Sequence, residues 1–364
     1  MKKKGAKKKS ILNINLDLVP ASKLELIVFA KHLSLMLRSG LAITEALKVL
    51  YQSSTGKFRD LVGDIYNSVK AGRNLAEALQ RYPRVFNSFF AGAVYAGETS
   101  GTLDKSLENV AVQLKKEKEL ADKIKGALMY PVIILIAGFV MSLFLAFYIL
   151  PKIIPLFQGM KMKLPWTTRA LIAFSKVVES YGTILLICIF VGLALLIWLV
   201  RQKFSKPFVH KLLLKLPVVK DIIKQANLAR FSRTLATLLA SGLNIVEALN
   251  IAANTTTNYY YRRAINTVSK ATSKGNRLSA GLMKFRGYFP DMAIRMIAVG
   301  EESGKLEETL FYLADFYEGE VDNSTKNLST LVEPILLVLI GLGVGFLALS
   351  IVTPIYSITG KVGN

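Results

Sequence analysis

Residues 29–50, FAKHLSLMLRSGLAITEALKVL, return as residues 231–252, FSRTLATLLASGLNIVEALNIA, at a constant offset of 202. Ten of the 22 positions are identical, from Phe29 and Phe231 to Leu47 and Leu249. Phe29, Leu33 and Leu37 stand four residues apart, which puts them on one face of a helix. Ser39-Gly40 and Ser241-Gly242 then end that helix, because glycine takes the left-handed backbone conformation that a helix C-cap needs. The pattern describes a helix, a turn and a second helix, present twice.

The copy extends well beyond this segment. Gly72, Leu75 and Leu79 recur at offset 203 as Gly275, Leu278 and Leu282, and Phe86 recurs as Phe289. The block Gly97-Glu98-x-Ser100-Gly101-x-Leu103 recurs as Gly300-Glu301-x-Ser303-Gly304-x-Leu306, and Pro131 and Pro151 recur as Pro334 and Pro354. The duplicated unit therefore includes an apolar span as well as a polar, helical part. Apolar periodicity predicts helices near 22–38, 43–54, 57–71, 75–81, 85–97 and 103–125, and a second set from about 220 to 330. Neither copy shows period-two alternation or a hairpin dipeptide.

Of the 364 residues 52% are hydrophobic, and no charge lies between Lys125 and Lys152, Glu179 and Arg201, or Glu333 and Lys361. The apolar cores of these runs, 132–150, 182–200 and 335–352, are each long enough for a helix to cross roughly 30 Å of hydrocarbon. The fold expected is an all-α membrane protein with two homologous helical-bundle domains of about six helices each and three transmembrane helices. The divisions are a basic tail (1–20), a first domain (21–128), a first span (129–151), a loop (152–180) and a second span (181–200). A second domain (201–333), a third span (334–353) and a short tail (354–364) follow. Six lysines lie between Lys2 and Lys9 with no apolar run behind them, so a signal peptide is not expected.

Two copies that enter the membrane from the same side need a returning crossing between them, which the unrepeated middle span supplies. Lys115, Lys116, Lys118, Lys123 and Lys125 precede the first span, and Arg201, Lys203, Lys206, Lys211 and Lys215 follow the second. The positive-inside rule then places both domains in the cytoplasm. The formal net charge of +22 is spread over both copies and accompanies no aromatic-basic motif, so contact with anionic lipid is the reading taken and direct nucleic-acid binding is not expected.

No catalytic constellation stands out. His32, His210 and Cys188 are the only residues of their kinds, too few for a zinc set, and no cofactor or metal site is expected. Residues 300–306, GEESGKL, superficially suggest a phosphate loop. The glycine spacing is one residue short, Leu306 replaces the Ser or Thr after the lysine, and Glu301 and Glu302 would repel phosphate, so a tight interhelical turn is expected instead. Gly97 and Gly300 are expected at a turn or a close helix approach. Asn244-x-x-Glu247 fits a capping box whose carboxylate returns to the N-cap amide, and Glu45 takes the same position behind Ala42. Glu333 next to Pro334 is read as a carboxylate stabilised at a helix N-terminus, at the mouth of the third span. Gly341 and Gly345 have the spacing that lets two membrane helices pack closely.

The doubled Ser-Gly-Leu-x-Ile-x-Glu-Ala-Leu blocks at 39–47 and 241–249, the doubled Gly-Glu-x-Ser-Gly-x-Leu blocks and Glu333-Pro334 together resemble the inner-membrane platform proteins of type II secretion and type IV pilus machines, the GspF/PilC family. The resemblance covers residues 22 to 358. It implies a scaffold without enzymatic activity, whose cytoplasmic domains engage a separate assembly ATPase while the membrane part handles pilin or pseudopilin subunits. Other inner-membrane assembly proteins and a homodimer or higher homo-oligomer are implied with it. Two other readings are a small transporter or channel, which needs polar residues within the spans, and a membrane-anchored nucleic-acid adaptor. Neither explains why a whole domain-plus-span unit is doubled.

Overall fold

Several helices begin at a capping side chain, Ser22, Asn87, Asn244 or Asn258, and several end at a glycine with positive φ. The computed structural model describes residues 21–149, 151–152, 166–202, 204–216 and 219–362. The expected basic tail (1–20), Leu150 at the end of the first span and much of the expected loop (153–165) lie outside the described residues. The first copy forms α1 (Lys23–Arg38), α2 (Ile43–Ser53), α3 (Gly56–Lys70), α4 (Leu75–Gln80), α5 (Ser88–Ser100) and α6 (Leu103–Phe144). Ser22 and Glu25 make a reciprocal capping box at the start of α1. Gly40 and Gly72 then take φ of +88° and +92° just past the ends of α1 and α3, as Gly242 and Gly275 do in the second copy at +93° and +87°.

After α7 (Trp166–Arg201) and α8 (Lys206–Leu213), the second copy repeats the series. It forms α9 (Val219–Ala240), α10 (Ile245–Thr255), α11 (Tyr259–Thr272), α12 (Leu278–Leu282), α13 (Asp291–Ser303) and α14 (Leu306–Val362). Among the described residues every regular element is helical. Contacts divide the chain into two units, the first holding the chain up to Ala121 with Val219–Val321 and the second holding Asp122–Val218 with the chain from Asp322 on. The bundled parts of the two copies thus share one unit.

Each copy has an aromatic core. Phe29 lies within 6.4 Å, centroid to centroid, of Phe58, Phe86 and Phe90. In the second copy Phe231 and Tyr261 both pack on Phe289, at 5.4 and 5.5 Å. Tyr261 stands where the first copy has Phe58, and its added hydroxyl is satisfied by donating to the Tyr288 carbonyl at 2.8 Å. Burial, with Tyr288 and Tyr317 nearby, pushes the phenol well above its ordinary pKa.

The second unit is apolar and helical. Leu103–Ile149 and Leu306–Ser350 are long and apolar enough to cross a membrane, and Thr168–Val178 with Ser180–Gly192 makes a third candidate if this pair, bent by 60°, counts as one span. The bend sits beside Gly182, where an added Cβ would lie 2.4 Å from the Phe147 ring. Lys123 and Lys326 share the Asp322 carboxylate at 3.3 and 2.9 Å, joining α6 to α14 ahead of their apolar halves. Thr168 Oγ1 donates to the Ser350 carbonyl at 2.9 Å, tying α7 to α14.

Three sequence expectations need correction. The helix expected to stop near 125 runs on to Phe144, and Leu145–Ile149 continue it as a π-helical turn. Residues 166–180, expected within a loop, are helical, and no glycine or proline interrupts residues 166–181. Glu333 and Pro334 lie deep inside α14, whose N-terminus is at Leu306, so a helix dipole does not stabilise the Glu333 carboxylate. Proline removes only one N–H from the ladder, and apolar spans accommodate it where neighbouring groups take over the freed acceptor. Glu333 is exposed on the helix surface.

Removing the Tyr261 hydroxyl isolates its contribution. Tyr261→Phe should lower stability by about 1 kcal/mol, read as a lower Tm of the detergent-solubilised chain, and an unchanged Tm would show that the Tyr288 bond contributes nothing.

Candidate functional site

The short helices α4 and α12, at six and five residues, are too brief to stand alone. Neither has a side-chain cap at its own N-cap position, Asn74 or Arg277. Their first amides are taken instead by the glutamate of the duplicated Gly-Glu motif. The N–H groups of Leu75 and Ala76 donate to Glu98 Oε1 and Oε2 at 2.5 and 2.8 Å. Those of Leu278 and Ser279 donate to Glu301 at 2.5 and 2.9 Å. A carboxylate 22 or 23 residues away thus caps each helix with both oxygens, where its charge is also favoured by the helix dipole.

The glycines of the same motif fix the next helix. A Cβ on Gly97 would lie 2.6 Å from Ser106 Cβ and 3.0 Å from Leu103 Cα, and one on Gly300 would lie 2.7 Å from Thr309 Oγ1 and 3.1 Å from Leu306 Cα. Gly101 and Gly304 turn the chain between the two helices at φ of +72° and +69°. Each motif therefore clasps three helices, α4 to α5 to α6 in the first copy and α12 to α13 to α14 in the second. The anion position at the start of α4 and of α12 is thus filled by the protein's own carboxylate.

Between the copies, α5 lies against α9 and α10. Gly92 permits the approach, since a Cβ there would meet Ile251 Cδ1 at 2.6 Å. Gln113 Nε2 donates to Thr234 Oγ1 at 3.2 Å, and Lys116 Nζ lies 3.4 Å from Glu318. Arg233, only 7% exposed, donates through Nε to Glu318 at 2.6 Å and pairs through its other arm with Asp315. Burial alone would lower the Arg233 pKa, but the two carboxylates outweigh it and raise the value. A groove of about 370 Å³ opens beside this contact, between Tyr95 and Thr99 on one side and Leu243 and Glu247 on the other.

The residues singled out in sequence fall into distinct places. Gly40, Gly101, Gly242 and Gly304 are helix-ending turns, and Gly97 and Gly300 are close approaches. Asn244 caps α10 through the Glu247 amide at 2.9 Å, but the Glu247 carboxylate meets the Asn244 side-chain amide at 3.4 Å, so the expected return bond to the backbone is not the one made. Glu247 lines the groove between the copies and is exposed, as is its twin Glu45 at the start of α2 behind the uncapping Ala42. Gly341 and Gly345 have open space where a Cβ would be. The role of Glu98 and Glu301 as distant caps was not foreseen. The signal was the doubled spacing from Leu75 to Glu98 and from Leu278 to Glu301, the same in both copies.

Residues 29–151 and 231–354 each match the family described as Type II secretion system (T2SS), protein F. The chain is 35% identical over 338 residues to the type IV pilus assembly protein PilC of Thermus thermophilus, covering 92% of this chain and 83% of that one. It is 30% identical over 373 aligned positions to PilC of Pseudomonas aeruginosa, covering 100% of this chain and 98% of that one. It is 33% identical over 344 residues to the type II secretion system protein F of Aeromonas hydrophila, covering 94% and 88%.

Two substitutions test the clasp. Glu98→Ala should destabilise by about 1 to 3 kcal/mol, as removal of a charged acceptor from two backbone donors does. Hydrogen exchange should accelerate in a peptide covering residues 75–80, with Glu98→Gln recovering part of the protection. Gly97→Val should cost about 1 to 3 kcal/mol through overpacking. In the milder pair, Ser106→Gly should restore part of what Gly97→Ala loses, and melting curves that show no rescue would place the strain elsewhere.

Proposed function

The chain belongs to the family of type II secretion system protein F, and from that premise we propose that it is the membrane platform of a type IV pilus or type II secretion assembly machine. It crosses the inner membrane three times, with both helical domains on the cytoplasmic side, and works as a homodimer or higher homo-oligomer beside other inner-membrane assembly proteins. It couples a separate cytoplasmic assembly ATPase to the insertion of pilin or pseudopilin subunits into a growing filament. It hydrolyses nothing itself and binds no nucleic acid directly.

The duplication is the observation that carries this reading. One polar bundle with its apolar helix occurs twice in the same order, which suits a part that presents two related surfaces to a motor and anchors both in one membrane. The apolar unit offers a groove of about 760 Å³ lined by Gly138, Ser142, Phe174, Leu339 and Gly343 among others. A largely apolar lining, opened by Gly138, Ser142 and Gly343, suits the apolar helix of a subunit. The polar side chains that a transporter would need are otherwise engaged, since Ser142 and Ser350 donate to the carbonyls of Gly138 and Phe346 at 2.8 and 2.7 Å on their own helices.

Purified protein should show no ATPase activity, should bind the cognate motor through its helical domains and should change that motor's turnover. Hydrolysis that persists through rigorous purification, or a motor indifferent to the protein across a range of salt, would overturn the proposal.

A further inference from the structure

From Tyr259 to Tyr288 the chain carries seven lysines and arginines and no acidic residue. The twin stretch of the first copy, Gly56 to Val85, carries six basic residues and three acidic ones, Asp60, Asp64 and Glu77. A solvated face ordinarily mixes both signs, because like charges one helical turn apart repel. Three of the seven cations are engaged. Arg277 pairs with Glu302 at 2.6 Å, Arg286 pairs with Asp291 at 3.2 Å, and Arg262 Nε donates to the Thr256 carbonyl at 2.9 Å. Arg263, Lys270, Lys274 and Lys284 are exposed, and among the described residues none of them pairs with a carboxylate.

Three tyrosines stand beside these charges. Tyr260 stacks on Tyr288, with centroids 5.9 Å apart and ring planes 24° from parallel, and Tyr259 meets Tyr260 at right angles at 5.4 Å. Burial and the neighbouring Tyr260 raise the Tyr288 pKa above that of an ordinary phenol, and Arg263 opposes them, so its guanidinium lies within electrostatic reach of the stack. Tyr259, Arg263 and Lys270 follow the i, i+4, i+11 spacing of one face of α11, opposite the buried Tyr261, Ala264, Ile265 and Val268. The first copy has Gly56, Lys57 and Val85 where the tyrosines stand, and Asp60 and Asn67 where Arg263 and Lys270 stand. Its α3 nevertheless buries the matching residues Phe58, Leu61, Val62 and Ile65. The bundle therefore packs without this face, and the second copy has acquired it for something other than folding.

We propose that the outer face of α11, with Tyr288 beside it, docks an acidic, aromatic-containing segment of a partner protein. Charge assigns the occupant, since four exposed cations without a carboxylate among them call for a complementary run of Asp and Glu. The rings narrow the choice further. Tyr260 has one face covered by Tyr288 and meets Tyr259 at right angles, which makes a packed ledge and not the series of open ring faces on which bases stack. Tyrosine and arginine side by side are the residues that anchor protein interfaces. The inference does not rest on the platform reading, because the face would bind such a segment whether or not the chain engages a motor.

A fluorescein-labelled copolymer of glutamate and tyrosine, titrated by anisotropy against the full chain in neutral detergent, should bind and should slow hydrogen exchange in a peptide covering residues 259–272. Arg263→Asp with Lys270→Asn gives α11 the residues that α3 already carries at those places, and should weaken binding at least tenfold. Tyr259→Ala, at a side chain 41% exposed, should weaken it several-fold and carries the test if the double variant melts early. The same charge change in the tail, Lys3→Asp with Lys4→Asn, should alter binding less than twofold. Equal losses from the two double variants, or exchange protection outside α11, would show attraction by overall charge alone and overturn the proposal, as would no measurable binding. Oligothymidylate bound at α11 as tightly as the copolymer would make the face a nucleic-acid surface. Phosphatidylglycerol nanodiscs that slow exchange in residues 259–272 without the copolymer would make it a lipid surface. Either result would refute a protein segment as the occupant.

Discussion

Two backbone N–H groups at the start of a helix only five or six residues long need an acceptor, and the helix has no capping side chain of its own to supply one. Glu98 and Glu301 supply it from the far end of a later helix. The arrangement sets the geometry of each bundle. The glutamate can reach the short helix only if α5 or α13 lies across it, and the glycine just before it lets α6 or α14 pass within backbone contact. An unsatisfied amide at a partly buried helix start would be costly, so the carboxylate holds three helices in register at once.

Duplication then places one bundle design in two environments, and the side chains have diverged to suit. Where α5 presses on the second copy it carries Gly92, while the twin on the free α13 is Arg295. Where α9 faces the first copy it carries Arg233, held by Glu318 and Asp315. Its twin Lys31 likewise pairs inside its own copy, with Glu108 at 2.8 Å. A buried guanidinium left without its carboxylates would be strongly destabilising, so the Arg233 network fixes α9 against α14 within the second copy, and Lys116 reaches the same Glu318 from the first copy at 3.4 Å. It need not add much net stability in doing so.

In the apolar unit the constraint is different. Without water, backbone groups must be satisfied within the helix, so hydroxyls such as those of Ser142 and Ser350 bond to the preceding turn, and prolines are carried inside long helices. Pro131 and Pro334 read in sequence as boundaries between domain and span because proline commonly opens a helix. The helices on both sides are strong enough to run through them, which is why the expected ends near 125 and 333 do not appear.

The sequence by itself determined the element order, the helical class and the doubling. Apolar spacing around Phe29 and Phe231, and glycines at 40, 72, 242 and 275, act over three or four residues, where local chemistry decides. The capping of α10 by Asn244 and the close approaches at Gly97 and Gly300 were legible for the same reason. Tertiary structure alone decided what Glu98 and Glu301 bind, since a cap 22 or 23 residues from its helix leaves no local pattern. It alone decided that the two bundles share one unit, because that depends on matching surfaces distant in the chain. And it decided that Glu247, as exposed as its twin Glu45, stands at the edge of a groove between the copies, a difference of neighbours between residues whose immediate sequences are nearly the same.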